Sequence, residues 1–358
     1  MLNVYKLDNK ENCKEYKTLL SIFDAVEPYF LPQYINIFSG GFDNLIYFQF
    51  TSDETGAIII MPGYLKPIAI GGEKTSYFDF ITPYGYTGPL FTSNTVASDI
   101  IEFWKSIDQW YADNNVVTEF IRFNLSGNEA HYSGQVFPTM LNIKGRIIDE
   151  ESQWTAFDHK VRKNVNKAKR EELSSRIYFG KIQDNEILEF HNIYMQTMKR
   201  TNANESFSYS FVQFKFFIND NSKNAAICTV YLDQIPVSSE LLLISKDSIF
   251  SFLGGTDENY FDKRPNDFLK VEALNWARGQ QKKYYVLGGG YGFEDGIFKY
   301  KKSFFPNDAV NYYTGRKVVD ENAYSQLLEK ANNFRTLKGL EKLEHSDTSF
   351  FPLYNKLN

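Results

Sequence analysis

The sequence predicts an α+β protein built as two units that repeat one order of elements. Three observations lead there. At 358 residues the chain is longer than one core usually serves. Its apolar share of 43% and aromatic share of 17% describe packed cores rather than a disordered chain. The hydrophobic period also switches from two to 3.6 and back in the same order in each half.

In the first half NLIYFQF reads as a strand, TSDETG as a turn, AIIIMPGYL as a second strand and TSYFDFITP as a third. ASDIIEFWKSIDQWYADNN has helical spacing at Ile100, Ile101, Trp104, Ile107 and Tyr111, and Asn114-Asn115 would end that helix. VVTEFIRF is a strand again. In the second half AAICTVYL, IPVSSELLLI and SIFSFLGG are strands joined by the turns DQ and SKD. NDFLKVEALNWARGQQ is a helix, with Asn266 or Asp267 able to cap it and Gly279 near its end. KYYVLGGG closes the set. A helix leads the second half as well, DNEILEFHNIYMQTMKRTN, with Ile187, Phe190, Tyr194 and Met198 on one face. Residues 1–150 are read as the first unit and 151–316 as the second. The tail 317–358, a charged helix and an aromatic-rich end, is expected to fold back and complete the first.

Between the halves, WTAFDHKVRKNVNKAKREEL sets Val161, Val165 and Ala168 in a narrow apolar stripe. Lys160, Lys163, Lys167 and Arg170 recur at spacings of three and four on another face. This basic helix, 158–172, is either a solvated linker or a ridge that meets phosphates. The net charge of -5 argues against a surface coated with nucleic acid, and no DNA partner is expected, but one local basic patch is compatible with it.

No apolar run reaches transmembrane length and the N-terminal residues are charged throughout, so the expected compartment is the cytoplasm. Two cysteines, Cys13 and Cys228, cannot build a disulfide framework or a zinc knuckle. His131, His159, His191 and His345 lie at no metal-ligand spacing, and no metal is expected. No G-x-S-x-G elbow is present. IGGEKTS departs from a P-loop at Glu73, and GGGYGF departs from the dinucleotide fingerprint at Phe293. Group transfer by direct attack of an amine on an activated carbonyl needs none of these. It needs alignment and donors to the developing oxyanion.

Five stretches resemble the Fem-type branch of the GNAT acyltransferase superfamily, in which two such units stand in tandem. They are DFITPYGYTGPL (Asp79–Leu90), VRKNVNKAKREEL, FHNIYMQTMKRTNA, LGGTDENYFDKRPNDFLKVEALNWARGQ and GIFKYKKSF. The resemblance implies tandem GNAT-like (acyl-CoA N-acyltransferase) units, each a mixed, mostly antiparallel sheet flanked by helices. The first would be the acceptor side and the second the donor side. Fem-type enzymes move an amino acid from aminoacyl-tRNA onto a peptidoglycan-precursor peptide. Two departures stand out. The coiled-coil arm of some bridge-forming enzymes is missing, and YFDKRPNDF replaces the pyrophosphate loop of ordinary GNATs.

The resemblance places the family lysine at Lys301, near the donor's carbonyl or its terminal phosphate, in a segment read as a strand. The residues themselves suggest further candidates. Gly288, Gly289 and Gly290 would give room for a ligand or simply turn the chain. Asn266, Lys263 and Arg264 stand at the start of a helix whose free N–H groups suit an anion. Arg200, at the end of another helix, would meet a phosphate or carboxylate. Glu240, with Ser239 unexpectedly polar in mid-strand, is a candidate base or amine anchor, and Glu294 and Asp295 are weaker ones. Asp79 would act in catalysis or bind the acceptor, with Tyr84 and Tyr86 stacking on a sugar or base.

The expected function is therefore an N-acyl- or aminoacyltransferase of peptidoglycan or surface-polysaccharide biosynthesis, with aminoacyl-tRNA as donor and no covalently bound cofactor. A lipid-linked acceptor would bring peripheral membrane contact. The alternatives are an acyl-CoA- or acyl-carrier-protein-dependent N-acetyltransferase acting on an amino sugar, and a non-catalytic binding module.

Overall fold

In the computed structural model, which describes residues 1–358, the chain begins with β1 (Leu2–Lys6), α1 (Lys10–Leu20) and the short α2 (Pro32–Tyr34). β2 (Leu45–Thr51), β3 (Ile58–Ile70), β4 (Glu73–Ile81), β5 (Leu90–Phe91), α3 (Ala97–Asp113) and β6 (Val116–Arg122) follow. Gly71 and Gly72 turn β3 into β4 with φ of +60° and +93°, a region that L side chains rarely enter. The Asp99 carboxylate caps α3 by accepting from the Val96 N–H at 3.1 Å. The helix ends at Asn114, and Asn115 takes a φ of 54°, as the paired asparagines predict.

β7 (Gln135–Arg146) carries the chain onward to α4 (Glu150–Ala156), α5 (His159–Arg170), β8 (Ser174–Phe179), α6 (Asp184–Arg200) and α7 (Phe211–Asp220). Then come β9 (Ala225–Leu232), β10 (Ile235–Ile244), β11 (Ser248–Thr256), α8 (Pro265–Gly279), β12 (Tyr284–Gly288) and α9 (Gly296–Lys302). Asp233 and Gln234 both have positive φ, 48° and 67°, which is the two-residue turn that matches the twist of the β9–β10 hairpin. β13 (Ala309–Val318) and α10 (Glu321–Leu337) complete the chain.

These elements form two compact units, Met1–Thr139 with Tyr312–Asn358, and Met140–Asn311. Each has the same topology. In the first, β1, β2, β3 and β4 run antiparallel in order, α3 crosses over, β6 lies parallel to β4, and β13 pairs antiparallel with β6. In the second, β8, β9, β10 and β11 run antiparallel, α8 crosses over, β12 lies parallel to β11, and β7 pairs antiparallel with β12. A parallel neighbour needs such a crossover, and a helix supplies it in both. This is a mixed, mostly antiparallel sheet flanked by helices, twice.

Alternation along the strands sorts the cores. Val116 joins the cluster of Phe48, Phe80, Phe103, Trp104 and Tyr111 on the α3 face. Its neighbour Val117 joins Ile68, Ile70 and, from α10 and the tail, Tyr324, Leu327, Leu328, Leu353 and Tyr354. In the second unit the α5 stripe of Val161, Val165 and Ala168 packs with Phe268, Leu269 and Ala273 of α8.

Three local expectations are corrected. Neither Asn266 nor Asp267 caps α8. Arg264 is the N-cap, in the left-handed region at φ 64°, because Pro265 takes the first helical position. The segment around Lys301 is a helix, α9, rather than a strand, because the Asp295 carboxylate caps it by accepting from the Phe298 N–H at 2.8 Å. The same cap occupies Asp295, which is therefore not a free base.

Candidate active site

β11 and β12 pair only from Ser248↔Tyr284 to Phe250↔Val286. Beyond Phe250 they part, and a cavity of ≈ 550 Å³ lies in that region. Every β11 residue that lines it, from Ser251 to Thr256, is past the last paired residue. α6 closes one side with Thr197 and Arg200, α8 another with Pro265, Asn266, Asp267 and Lys270, and α9 a third with Ile297, Tyr300 and Lys301. Gly255 allows α6 to lie directly on β11, since a Cβ there would run into Thr197 Oγ1 and the Ile193 carbonyl. All of these residues belong to the second unit.

At the floor is a buried ion pair that the sequence reading did not include. Lys270 Nζ donates to Glu240 Oε1 at 2.5 Å, with the two side chains 8% and 7% exposed. The same ammonium donates to Ser251 Oγ at 2.8 Å, Ser251 donates to Glu240 Oε1, and Tyr285 OH donates to Glu240 Oε2 at 3.1 Å. Two charges so deep are tolerable only when paired and hydrogen-bonded, which these are. Ser239, beside Glu240, instead shares a hydrogen bond of 2.7 Å with Thr229. Ser251 lies between an ammonium and a carboxylate, so nothing frees its hydroxyl to act as a nucleophile.

Lys301 reaches back from α9, and its ammonium donates to the Gly289 carbonyl at 2.6 Å. Burial pushes this lysine down to about 8, and the like charge of Lys270 pushes in the same direction. Glu240 and Asp295 pull against both. It is thus a cation held at a cost, at the edge of a cavity. Arg200 lies over the Phe261 ring at 5.0 Å. Arg264 lines the mouth and has no carboxylate within salt-bridge distance. Asn266 Nδ2 donates to Tyr300 OH at 2.9 Å. Lys263 turns away from the cavity to pair with Glu171 at 2.7 Å. Four basic side chains, Arg200, Arg264, Lys270 and Lys301, therefore face two acids, Glu240 and Asp267.

The basic helix borders this cavity. Asn164 of α5 donates to Asp267 Oδ1 at 3.1 Å, and Lys160, Lys163, Lys169 and Arg170 remain exposed along it. Burial raises the Asp267 carboxyl, against the pull of Asn164, Arg264 and Lys160.

Several sequence candidates take other places. Gly288, Gly289 and Gly290 do not line the cavity. A Cβ on Gly289 would strike Asn142, and one on Gly290 would strike the Asp295 carboxylate, so these glycines make room for the protein's own chain. Gly288, at φ +74°, makes the turn. Asp79 lies in the first unit, where its carboxylate accepts from Thr118 Oγ1 at 2.6 Å, Asn355 Nδ2 at 3.0 Å and Tyr354 OH. Three donors make it a tether for the tail instead of a free catalytic group. Burial raises it, while those donors pull it down. Tyr84 is 56% exposed, open to a stacking partner. Tyr86 is already engaged edge-on by Tyr29 and Tyr312.

No helix is long and apolar enough to cross a membrane, and no group of three or more His, Cys, Asp or Glu residues could hold a metal ion. Residues 157–302 match the acetyltransferase (GNAT) domain family. No curated protein matches the sequence. Among solved structures, FemX superposes with a TM-score of 0.62 at 10% identity, covering 90% of this chain and 99% of its own. L-PGS from Bacillus licheniformis superposes at 0.56 and 12% identity, covering 91% and 97%. A conserved protein of unknown function from Bacteroides thetaiotaomicron gives 0.56 at 10% identity, covering 89% and 100%. Within the second unit, residues 157–302 are thus similar to the GNAT acetyltransferase domain, and the chain as a whole shares its fold with FemX.

Proposed function

We propose that the protein transfers an aminoacyl group from aminoacyl-tRNA to an amine acceptor of cell-envelope biosynthesis, with the second unit on the donor side and the first on the acceptor side. The observation that supports this most is the run of positive charge from α5 to the cavity. The exposed cations of α5 adjoin Asp267 through Asn164, and Arg264, Arg200 and Lys301 continue inward. A polyanion would lie along such a track, with its reactive end inside.

The chemistry follows from the side chains. The acceptor amine arrives as an ammonium and must lose a proton to attack. Glu240 Oε2 accepts only from Tyr285, which leaves it a position for that proton. The amine then forms the C–N bond and the ester C–O bond breaks; of the two protons the ammonium loses, one ends on the departing ribose oxygen and the other leaves Glu240 for solvent. Lys301 supplies positive charge to the developing oxyanion or to the terminal phosphate, and Lys270 holds Glu240 in place through their ion pair.

The test is transfer with aminoacyl-tRNA, comparing the wild type with Lys301→Ala, together with tRNA affinity against salt. The reading expects transfer to be lost and affinity to fall steeply with salt. Undiminished transfer by Lys301→Ala would overturn the site. A second reading, an acyl-CoA donor, is favoured by the parting of β11 and β12 beside the free N-terminus of α8. It expects acetyl-CoA, and not tRNA, to raise the melting temperature.

A further inference from the structure

Arg122 ends β6 in the first unit, and its surroundings carry no counter-charge. Its guanidinium makes one hydrogen bond within the protein, Nη1 to the Thr82 carbonyl at 2.7 Å, and lies over the Phe120 ring at 5.0 Å. A guanidinium has five N–H donors, so most of this fork is unused. Four tyrosines, Tyr312, Tyr84, Tyr34 and Tyr64, lie close enough to interact with it electrostatically. The second cation nearby is Lys66, which lies over the Tyr64 ring at 5.7 Å and feels the like charge of Arg122. Asp79 pairs in register with Lys66 across β3 and β4, but its carboxylate is committed to Thr118, Tyr354 and Asn355. Neither Arg122 nor Lys66 forms a salt bridge. Partial desolvation lowers both, Arg122 being half-buried and Lys66 exposed, while Asp79 pulls Lys66 the other way; an arginine stays charged all the same.

A half-buried guanidinium beside a second cation, with no carboxylate within salt-bridge distance of either, is costly unless something anionic completes it. The aromatic walls are held in place. Tyr312 OH donates to the Gly85 carbonyl at 3.3 Å and Tyr64 OH to the Gly41 carbonyl at 3.2 Å. The loop Thr82–Gly85, which anchors the guanidinium, also presents the exposed Tyr84.

We propose that Arg122 and Lys66, walled by Tyr64, Tyr84 and Tyr312, form an oxyanion subsite of the first unit that takes the phosphate or carboxylate of a small-molecule ligand. The identification of that ligand with the acceptor rests on the proposed function, whereas the binding itself does not. The planar fork favours a two-oxygen contact, Lys66 adds a point charge, and Tyr84 offers a face for whatever ring is attached to the anion.

The test uses the full chain and two probes, inorganic phosphate and acetate, titrated against chloride at constant ionic strength with affinity read by calorimetry. Phosphate binding with acetate silent assigns a phosphate, and acetate binding assigns a carboxylate. Arg122→Lys keeps the charge and removes the fork, and should weaken the bound probe about tenfold or more. Lys66→Ala is an exposed change that leaves the fold intact, and should weaken it roughly threefold to tenfold. Lys14→Ala, an exposed change on α1 away from both sites, should change nothing. The proposal is overturned if neither probe binds, if both Arg122→Lys and Lys66→Ala bind as the wild type does, or if binding is lost only on Arg264→Ala in the cavity of the second unit. Turnover is not read, so loss of this subsite and loss of the transferase reading are separate outcomes.

Discussion

Lys301→Met separates the functional cost of the cavity lysine from its structural role. Folding moves this ammonium from an ordinary 10.5 down to about 8. At about 1.4 kcal/mol per pH unit, holding it charged at pH 7 costs the folded state roughly 3 kcal/mol. The sign follows from proton counting. Between pH 8 and 10.5 the unfolded chain holds a proton that the folded chain has released, so this lysine's contribution to stability rises with pH across that window and is flat below it. Methionine has no such term. It also forfeits the bond to the Gly289 carbonyl, a loss of about 1–3 kcal/mol that does not depend on pH because a neutral amine still donates. The measurement is urea unfolding of both proteins at pH 7, 8.5 and 10. Relative to Lys301→Met, the wild type should gain most of that roughly 3 kcal/mol between the first and last pH, while transfer at pH 7 is lost in the variant. A stability difference that stays constant with pH would show that Lys301 is not desolvated in the folded state, and the argument for its role would fall with it.

Three further outcomes follow. Lys270→Met strands Glu240 as an uncompensated buried charge and should cost about 3–5 kcal/mol in urea unfolding, whereas Lys270→Met with Glu240→Leu should recover much of it. Gly255→Val drives a side chain into Thr197 and the Ile193 carbonyl, and should cost at least about 1–3 kcal/mol while closing the cavity to any acyl donor, read as loss of the donor's thermal shift. Tyr354→Phe removes one of the three donors to the buried Asp79. It should destabilise by about 1–3 kcal/mol and speed hydrogen exchange in the tail.

The antiparallel strands and crossover helices were legible because their burial is one-sided or complete. β9 and β10 are buried almost from end to end, and α3 keeps a periodic apolar face. β7 and β13 were not. QVFPTMLNIKGR and AVNYYTGRKV have mostly half-buried, mixed positions, so neither alternation nor an apolar run marks them. Because those two strands carry the chain across between the units, leaving them unread also moved the apparent boundaries, drawn at 150 and 316, away from Thr139 and Asn311. The α9 helix was misread because GIFKYKK is short and aromatic. Only the capping Asp295 tells it from a strand.

The site divides along the same line. Glu240 was visible as a polar residue in an apolar strand, and Lys301 through the family pattern. Lys270 was invisible, because a lysine on a helix ordinarily points to water. What buries it is a carboxylate thirty positions earlier on another element, a contact no periodicity encodes. Yet Lys270 follows Phe268 and Leu269 and precedes Val271, all buried. A cation amid so apolar a stretch and an anion amid the apolar run of β10 are each anomalous alone and natural as a pair. Arg122 is the converse case. It ends β6, VVTEFIR, beside the buried Ile121, as Glu240 interrupts the apolar run of β10, but no carboxylate lies within salt-bridge distance of it. The buried charge that finds its partner inside the protein organises a site, and the one that does not points to a partner outside it.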